Sequence, residues 1–344
     1  MGDHVKRREV SQGTPHYDQR ATAGVLMCVA AQEVVTDVAS RAGIVPASFG
    51  KVMRRSMLLS ERYTLADGTA IPKLGLGTWL LGDDKAYQAV VNATGVGYRM
   101  IDTAQSYGNE RGVGEGVRNC GITREELFVA SKVAAERKDY DTVLRSIDRS
   151  LTMMGLDYLD QMIIHSPQPW IEVNQSDNRY EAENLEVWRA LVDARQAGKV
   201  RVIGVSNFNE HDLTNILDNS NVAPQVNQVL AHVSNTPFEL IRFCQDHGIQ
   251  VEAYSPIAHG MVLKNPKIAK VAKKYHASVA QLCVRYDIQL GLVALPKTTS
   301  VEHLRDNADV DFTISDGDMQ SLRSMERIKD YGASSLFPVY GGRL

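Results

Sequence analysis

From residue 63 onward the chain alternates short apolar runs with stretches whose apolar residues recur every third or fourth position. Residues 63–72 predict a small β-hairpin, because Asp67-Gly68 supplies the positive φ that a tight turn needs. Eight further runs read as strands, at 73–79, 99–103, 127–133, 160–166, 202–207, 225–230, 250–256 and 292–297. Most are continuous, as in Val200-Arg-Val-Ile-Gly-Val205. A parallel sheet covered by helices has this signature. Residues 140–151 and 185–196 carry apolar residues at helical spacing with charges between them. Gly198 predicts a helix end, and Thr123 or Asp84 a helix start. Eight strands alternating with helices over about 250 residues predict an α/β fold, a (β/α)8 TIM barrel with a short N-terminal hairpin. The rival doubly wound sheet lacks its fingerprint, since Gly75-Leu-Gly77 runs into Thr-Trp with no third glycine.

Residues 1–56 stand outside this alternation and divide the chain into an N-terminal extension, helical or disordered, and a barrel at 57–344. Within the extension, residues 34–53 have the pattern of two short helices joined at Ala42-Gly43-Ile44, like the helix-turn-helix of bacterial repressors. The plainer reading is a dispensable upstream extension, with Met57 as the start of the folded protein.

Composition narrows the field. Of 344 residues, 44% are hydrophobic and 23% charged, which is ordinary for a globular protein. A formal charge of −3 argues against nucleic acid as the main partner. Cys28, Cys120, Cys244 and Cys283 lie far apart, with no metal-ligand spacing, which suits a reducing compartment and no metal. The apolar run at residues 24–31 follows a basic start, but the polar, acidic stretch between them is too long for a normal leader. No apolar run reaches the ~18 residues of a membrane span. The expectation is a cytoplasmic monomer or weak dimer with a small-molecule substrate.

In a barrel, chemistry gathers where strands end at their C-termini. Polar residues there are Asp102, Lys132, His165 and Ser206-Asn207, with Tyr107 five positions past Asp102. Singly each is more often structural, since a strand-end Asp caps a helix and a Lys snorkels. Together they make a coherent proton-transfer set. A tyrosine hydroxyl with a pKa near ~10 is a poor acid at neutral pH, and a buried ammonium beside it favours the phenolate. Asp102 would hold that ammonium charged, and His165 would hold a carbonyl oxygen near Tyr107. General acid catalysis contributes typically ~10²–10⁴-fold.

Over residues 60–332 the chain resembles the aldo-keto reductase family. The resemblance rests on Gly75-Leu-Gly-Thr-Trp79, Ile101-Asp-Thr-Ala104, Ser106-Tyr-Gly-Asn-Glu110, Ser131-Lys-Val133 and Ile164-His165. It continues in Ile203-Gly-Val-Ser-Asn-Phe208, Val226-Asn-Gln228, Ala253-Tyr-Ser-Pro256 and Pro296-Lys-Thr298. It implies an oxidoreductase of small aldehydes, α-dicarbonyls or ketones that uses NADPH, with NADH as the alternative cofactor. Asp102, Tyr107, Lys132 and His165 would be its catalytic tetrad, with Tyr107 as proton donor. It also implies that Tyr254 stacks on the nicotinamide while Ser206, Asn207 and Gln228 take its carboxamide. Gly77, Thr78, Ser255 and Pro256 would line the cofactor. Lys297 and Thr298, with His303, would meet the 2′-phosphate, and Asp306 and Asn307 the adenine. Trp79, Tyr107, His165, Ser166 and Trp170 would face substrate.

Three positions depart from the family pattern. His303 stands where an arginine is common, which weakens the grip on a phosphate. Ala258-His259 replaces the usual Gly-Ser of the pyrophosphate loop, and Ser166 replaces a common Trp, which predicts a roomier and more polar pocket. Trp188 is expected in the core with Leu185, Leu191 and Val192. Tyr275-His276 and Asp246-His247 are expected on exposed helix faces. Two other functions fit parts of the sequence: an NADPH-binding partner protein of the same fold, and a DNA-reading N-terminal segment.

Overall fold

The computed structural model describes residues 56–173 and 175–342; the helix pair expected at 34–53 and the apolar run at 24–31 lie outside them. The hairpin pairs β1 (Arg62–Thr64) with β2 (Ala70–Pro72), Tyr63 opposite Ile71. Eight parallel strands follow: β3 (Leu76–Gly77), β4 (Met100–Asp102), β5 (Phe128–Val133), β6 (Leu159–Ile164), β7 (Val200–Ser206), β8 (Val226–Leu230), β9 (Gln250–Tyr254) and β10 (Val293–Leu295). Each pairs with its sequence neighbours, and the ends meet. Gly75 N donates to Ala294 O and Gly77 N to Pro296 O, while Ala294 N donates to Lys73 O. The sheet is thus a (β/α)8 barrel.

Helices α1 (Asp83–Val96), α2 (Glu110–Asn119), α3 (Tyr140–Met154), α4 (Glu181–Gln196), α5 (Glu210–Asn219), α6 (Phe238–Asp246), α7 (Pro266–Lys274), α8 (Val279–Gln289), α9 (Val301–Ala308) and α10 (Asp316–Arg323) surround it. The strands bury both faces because outward residues meet helices and inward residues meet each other. Ile101, Val129, Met162 and Ile203 pack outward with Trp188 of α4, which is 1% exposed. Met100, Phe128, Ala130, Ile163, Val202, Val226 and Val293 fill the interior, and Leu65 and Ile71 of the hairpin close its lower end. Burying each of those two is worth about 1.5–3 kcal/mol. Gly112 and Gly114 let α2 approach closely, since a Cβ at either would collide with the backbone of Asp83 or Met154.

Gly198 takes φ +74 just past α4 and terminates it, as expected. Two helix starts differ from expectation. Asp84 lies inside the first turn of α1, whose cap position is Gly82, and its charge faces the positive helix end there. Thr123 opens only a 3-10 turn, Arg124–Glu126, because β5 begins two residues later. Asp246 and His247 are exposed at the end of α6, whereas Tyr275 is half-buried, stacked on Phe312 with its hydroxyl donating to Asp318. No helix among the described residues is long and apolar enough to cross a membrane.

Candidate active site

A cavity of about 470 Å³ opens at the C-terminal ends of the strands. Strand alternation determines what reaches it. Positions two apart share a face, so Lys132 follows Ala130 and Phe128 on the inner side of β5, and Gln228 follows Val226 on β8. Lys132 is 1% exposed and its Nζ donates to both Asp102 carboxylate oxygens at 2.7 Å and to Thr103 O at 2.8 Å. The same nitrogen lies 3.4 Å from the Tyr107 hydroxyl. Tyr107 ends the 3-10 turn Gln105–Tyr107 beyond β4, where Gly108 in the left-handed region reverses the chain. Thr78 Oγ1 and the Thr78 amide both donate to Asp102 O, tying the first strand end to the second.

Charge and burial act together here. Burial alone would discharge Lys132, but Asp102 and Tyr107 outweigh it, and its pKa lies above the usual lysine value. It is an ammonium. Burial pushes the Tyr107 hydroxyl up and Asp102 adds to that, while Lys132 pulls it down; the net direction is upward. The ammonium therefore moderates the rise without reversing it, contrary to the expectation of a lowered tyrosine pKa. His165, buried beside that ammonium, is held neutral well below the usual histidine range. Its Nδ1 is enclosed without a partner, so Nε2 is the ring nitrogen left for a ligand. Its ring meets Tyr107 edge-on at 5.6 Å and Trp170 at 4.9 Å.

This chain and its barrel have counterparts among known proteins. The model of the aldo/keto reductase family matches residues 73–327. The chain belongs to the aldo/keto reductase family. It is 40% identical over 273 residues to YtbE, an uncharacterised oxidoreductase of Bacillus subtilis (strain 168), covering 78% of this chain and 93% of that one. A glyoxal reductase of the same strain is 38% identical over 276 residues, with 80% and 96% covered. The structure of a Bombyx mori aldo-keto reductase in complex with NADP superposes with a TM-score of 0.71 at 34% identity, over 81% of this chain and 98% of that one.

In this chain the cavity lining includes Gly77, Thr78, Trp79, Trp170, Ser206, Asn207, Gln228, Tyr254, Ser255, Pro256 and Lys297. Ser166 is not part of it. It is fully buried, its Oγ accepting from Gln168 N, so its side chain does not face the cavity as expected of a substrate-lining residue. Trp170 covers His165 instead. Asn207 is already committed: its Nδ2 donates to His165 O and Ser206 Oγ, and its Oδ1 accepts from Tyr254 OH at 2.7 Å. Thr298, His303, Asp306 and Asn307 lie past β10 on the loop and helix α9, with His303 and Asp306 exposed and Asn307 buried. Ser300 caps α9 by accepting from His303 N.

Several site residues escaped the sequence reading. Phe337, Val339 and Tyr340 of the C-terminal tail line the cavity. Phe337 packs edge-on against Trp79 at 4.9 Å. The Tyr340 hydroxyl shares hydrogen bonds with Ser255 Oγ (2.9 Å) and His259 Nε2 (2.7 Å). Those bonds clamp a loop in which Ser255, Ala258 and His259 all adopt positive φ, the region that glycine would occupy without cost. An aromatic cluster, Phe337-Pro-Val-Tyr340, was the available signal. Beneath Asp102 and Lys132 lie Gln161 and Glu252, both fully buried and unforeseen. Their signal was a Glu and a Gln inside otherwise apolar strands.

Proposed function

We propose that this reductase uses NADPH to reduce the carbonyl group of small aldehydes, α-dicarbonyls or ketones to alcohols, with Tyr107 as proton donor. The observation that carries this reading is the buried Asp102–Lys132–Tyr107 chain meeting a neutral His165 at the floor of an aromatic-lined cavity.

The lining fits the cofactor's nicotinamide end. Gln228 presents a free carbonyl oxygen, Ser206 a hydroxyl, and Tyr254 a ring held in place by Asn207. Lys297, exposed beyond β10 and without an ion pair among the described residues, suits a phosphate, as do Thr298 and the capped start of α9. His303 adds to this group, and Asp306 and Asn307 flank it. Reduced nicotinamide, when bound, supplies the hydride.

The chain's own residues do the rest. Tyr107 stays protonated at neutral pH because burial raises its pKa. It therefore gives its proton to the carbonyl oxygen as negative charge develops there. Lys132, held by Asp102, stabilises the phenolate that remains. His165, through Nε2, positions the oxygen and needs no proton of its own to exchange. Trp79, Trp170 and Phe337 exclude water around the reacting carbonyl, and an aromatic wall selects small, partly apolar substrates. The test is a panel of carbonyl compounds followed by loss of NADPH absorbance. Turnover of several small carbonyls is expected; no turnover of any class would refute the proposal.

A further inference from the structure

The buried residues beneath the tetrad are more polar than a barrel interior requires. Glu252 of β9 is fully buried and is the register partner of Gln228 on β8. Its Oε2 accepts from Gln228 Nε2 at 2.7 Å and from Gln161 Nε2 at 3.1 Å. Gln228 Nε2 also donates to Asp102 Oδ1 at 2.9 Å. Both hydrogens of that amide nitrogen are thereby spent on carboxylates. The reverse orientation would set the amide oxygen against two carboxylate oxygens, so the amide has one orientation. Its Oε1 receives no donor among the described residues, and Gln228 lines the cavity.

We propose that Glu252 is a positioning residue for cofactor recognition, holding the Gln228 amide so that its carbonyl oxygen faces the cavity as a dedicated acceptor for a carboxamide N–H. This rests on the nicotinamide reading above. Asp102 is shared with Lys132, which takes both of its oxygens, so Asp102 alone leaves Gln228 tethered by one bond about a soft terminal torsion. Glu252 supplies the second bond that stops the rotation. Its remaining oxygen has no partner, a cost that a residue serving only to fill space would not incur.

Glu252 also responds to pH. Burial raises its carboxyl to about 7. The groups facing it are Asp102 from β4, Lys132 from β5, Gln161 from β6 and Gln228 from β8. When ionised it accepts a charge-assisted bond from Gln228. When protonated it can also donate to an amide oxygen, and the single orientation is lost.

The experiment compares binding of NADPH with binding of its 3-acetylpyridine analogue, in which a methyl ketone replaces the carboxamide and removes the N–H donor. Quenching of protein fluorescence reads both affinities, since Trp79 and Trp170 line the cavity. Wild type should prefer NADPH roughly 5–10-fold, the value of one hydrogen bond, and the preference should grow between about pH 6 and about pH 8 as Glu252 ionises. In Glu252→Leu the ratio should fall to about 1 while affinity for the analogue changes less than about twofold, as the lost bond is absent from that complex. Glu252→Gln is isosteric and decides the matter if the Leu variant does not fold: its ratio should not change with pH. A general structural defect would weaken both ligands alike. A wild-type ratio in Glu252→Leu, or an unaltered pH rise in Glu252→Gln, overturns the proposal. A wild type that binds neither nucleotide overturns the cofactor reading itself, and with it this one.

Discussion

Replacing Tyr107 with Phe separates chemistry from stability. The substitution keeps the ring and removes one hydroxyl, whose contact with Lys132 is the long one at 3.4 Å. Lys132 retains both Asp102 oxygens at 2.7 Å and Thr103 O at 2.8 Å, so no charge is left unpaired. The folding cost should stay under about 1 kcal/mol, and the melting temperature should fall by no more than about 2–4 °C. Loss of the proton donor should instead lower kcat/KM by ~10²–10⁴-fold, or about 2.7–5.4 kcal/mol of barrier at 1.36 kcal/mol per decade. The two effects differ enough to be read apart. The assay is initial-rate reduction of an active carbonyl at saturating NADPH, beside nucleotide binding by fluorescence and a thermal melt. Turnover within about tenfold of wild type would refute the proton-donor assignment. Loss of nucleotide binding alongside turnover would mean that Tyr107 shapes the cofactor site instead.

Other expectations follow from the same structure. His303→Arg should raise the preference for NADPH over NADH several-fold, because a guanidinium offers a phosphate a fork that imidazole lacks; an unchanged ratio of kcat/KM values would remove His303 from the 2′-phosphate site. Asp287 of α8 is fully buried with both carboxylate oxygens unpartnered, and burial holds its pKa well above the usual aspartate range. Folding must therefore keep it protonated, so stability present below the unfolded pKa is lost as pH rises toward the folded one. Asp287→Asn should melt higher than wild type at about pH 8, by roughly 1–3 kcal/mol of stability, and the gap should close near about pH 4; parallel pH profiles would contradict this. A protein begun at Met57 should keep its activity and nearly all its melting temperature, since Leu58 is buried in the barrel unit and the Met57 amide already faces Asp311. A fall of many degrees would show that residues 1–56 belong to the fold.

The barrel was legible because its signal is local. Most strands announce themselves by a continuous apolar run, the helices over 140–151 and 185–196 by their three- and four-residue period, and a parallel sheet admits few ways to arrange eight such units. The strand ends were legible for the same reason: Asp102, Lys132, His165 and Ser206-Asn207 stand at or beside the C-terminal limits of apolar runs, where barrels do chemistry, whereas Gln228, in the middle of its run, came only with the family resemblance. Glu252 and Gln161 break apolar runs too, but inside them, and were passed over. Period-two alternation alone would have set Glu252 on the same face as Tyr254.

What remained belonged to contacts between residues distant in the chain. That Trp170, and not residue 166, covers His165 depends on how the loop after β6 folds back over the strand end. That Tyr340 locks the loop at Ser255 and His259 joins segments 81–85 residues apart, and no local pattern encodes such a pairing. The direction of the Tyr107 shift also needed three dimensions. Sequence identifies a lysine beside a tyrosine, but only packing sets the burial that outweighs it. Local propensity and periodicity thus determined which elements form and which polar residues stand at their ends. Desolvation, loop closure and the return of the tail were decided by the tertiary structure, because each depends on atoms that meet only after the barrel has closed.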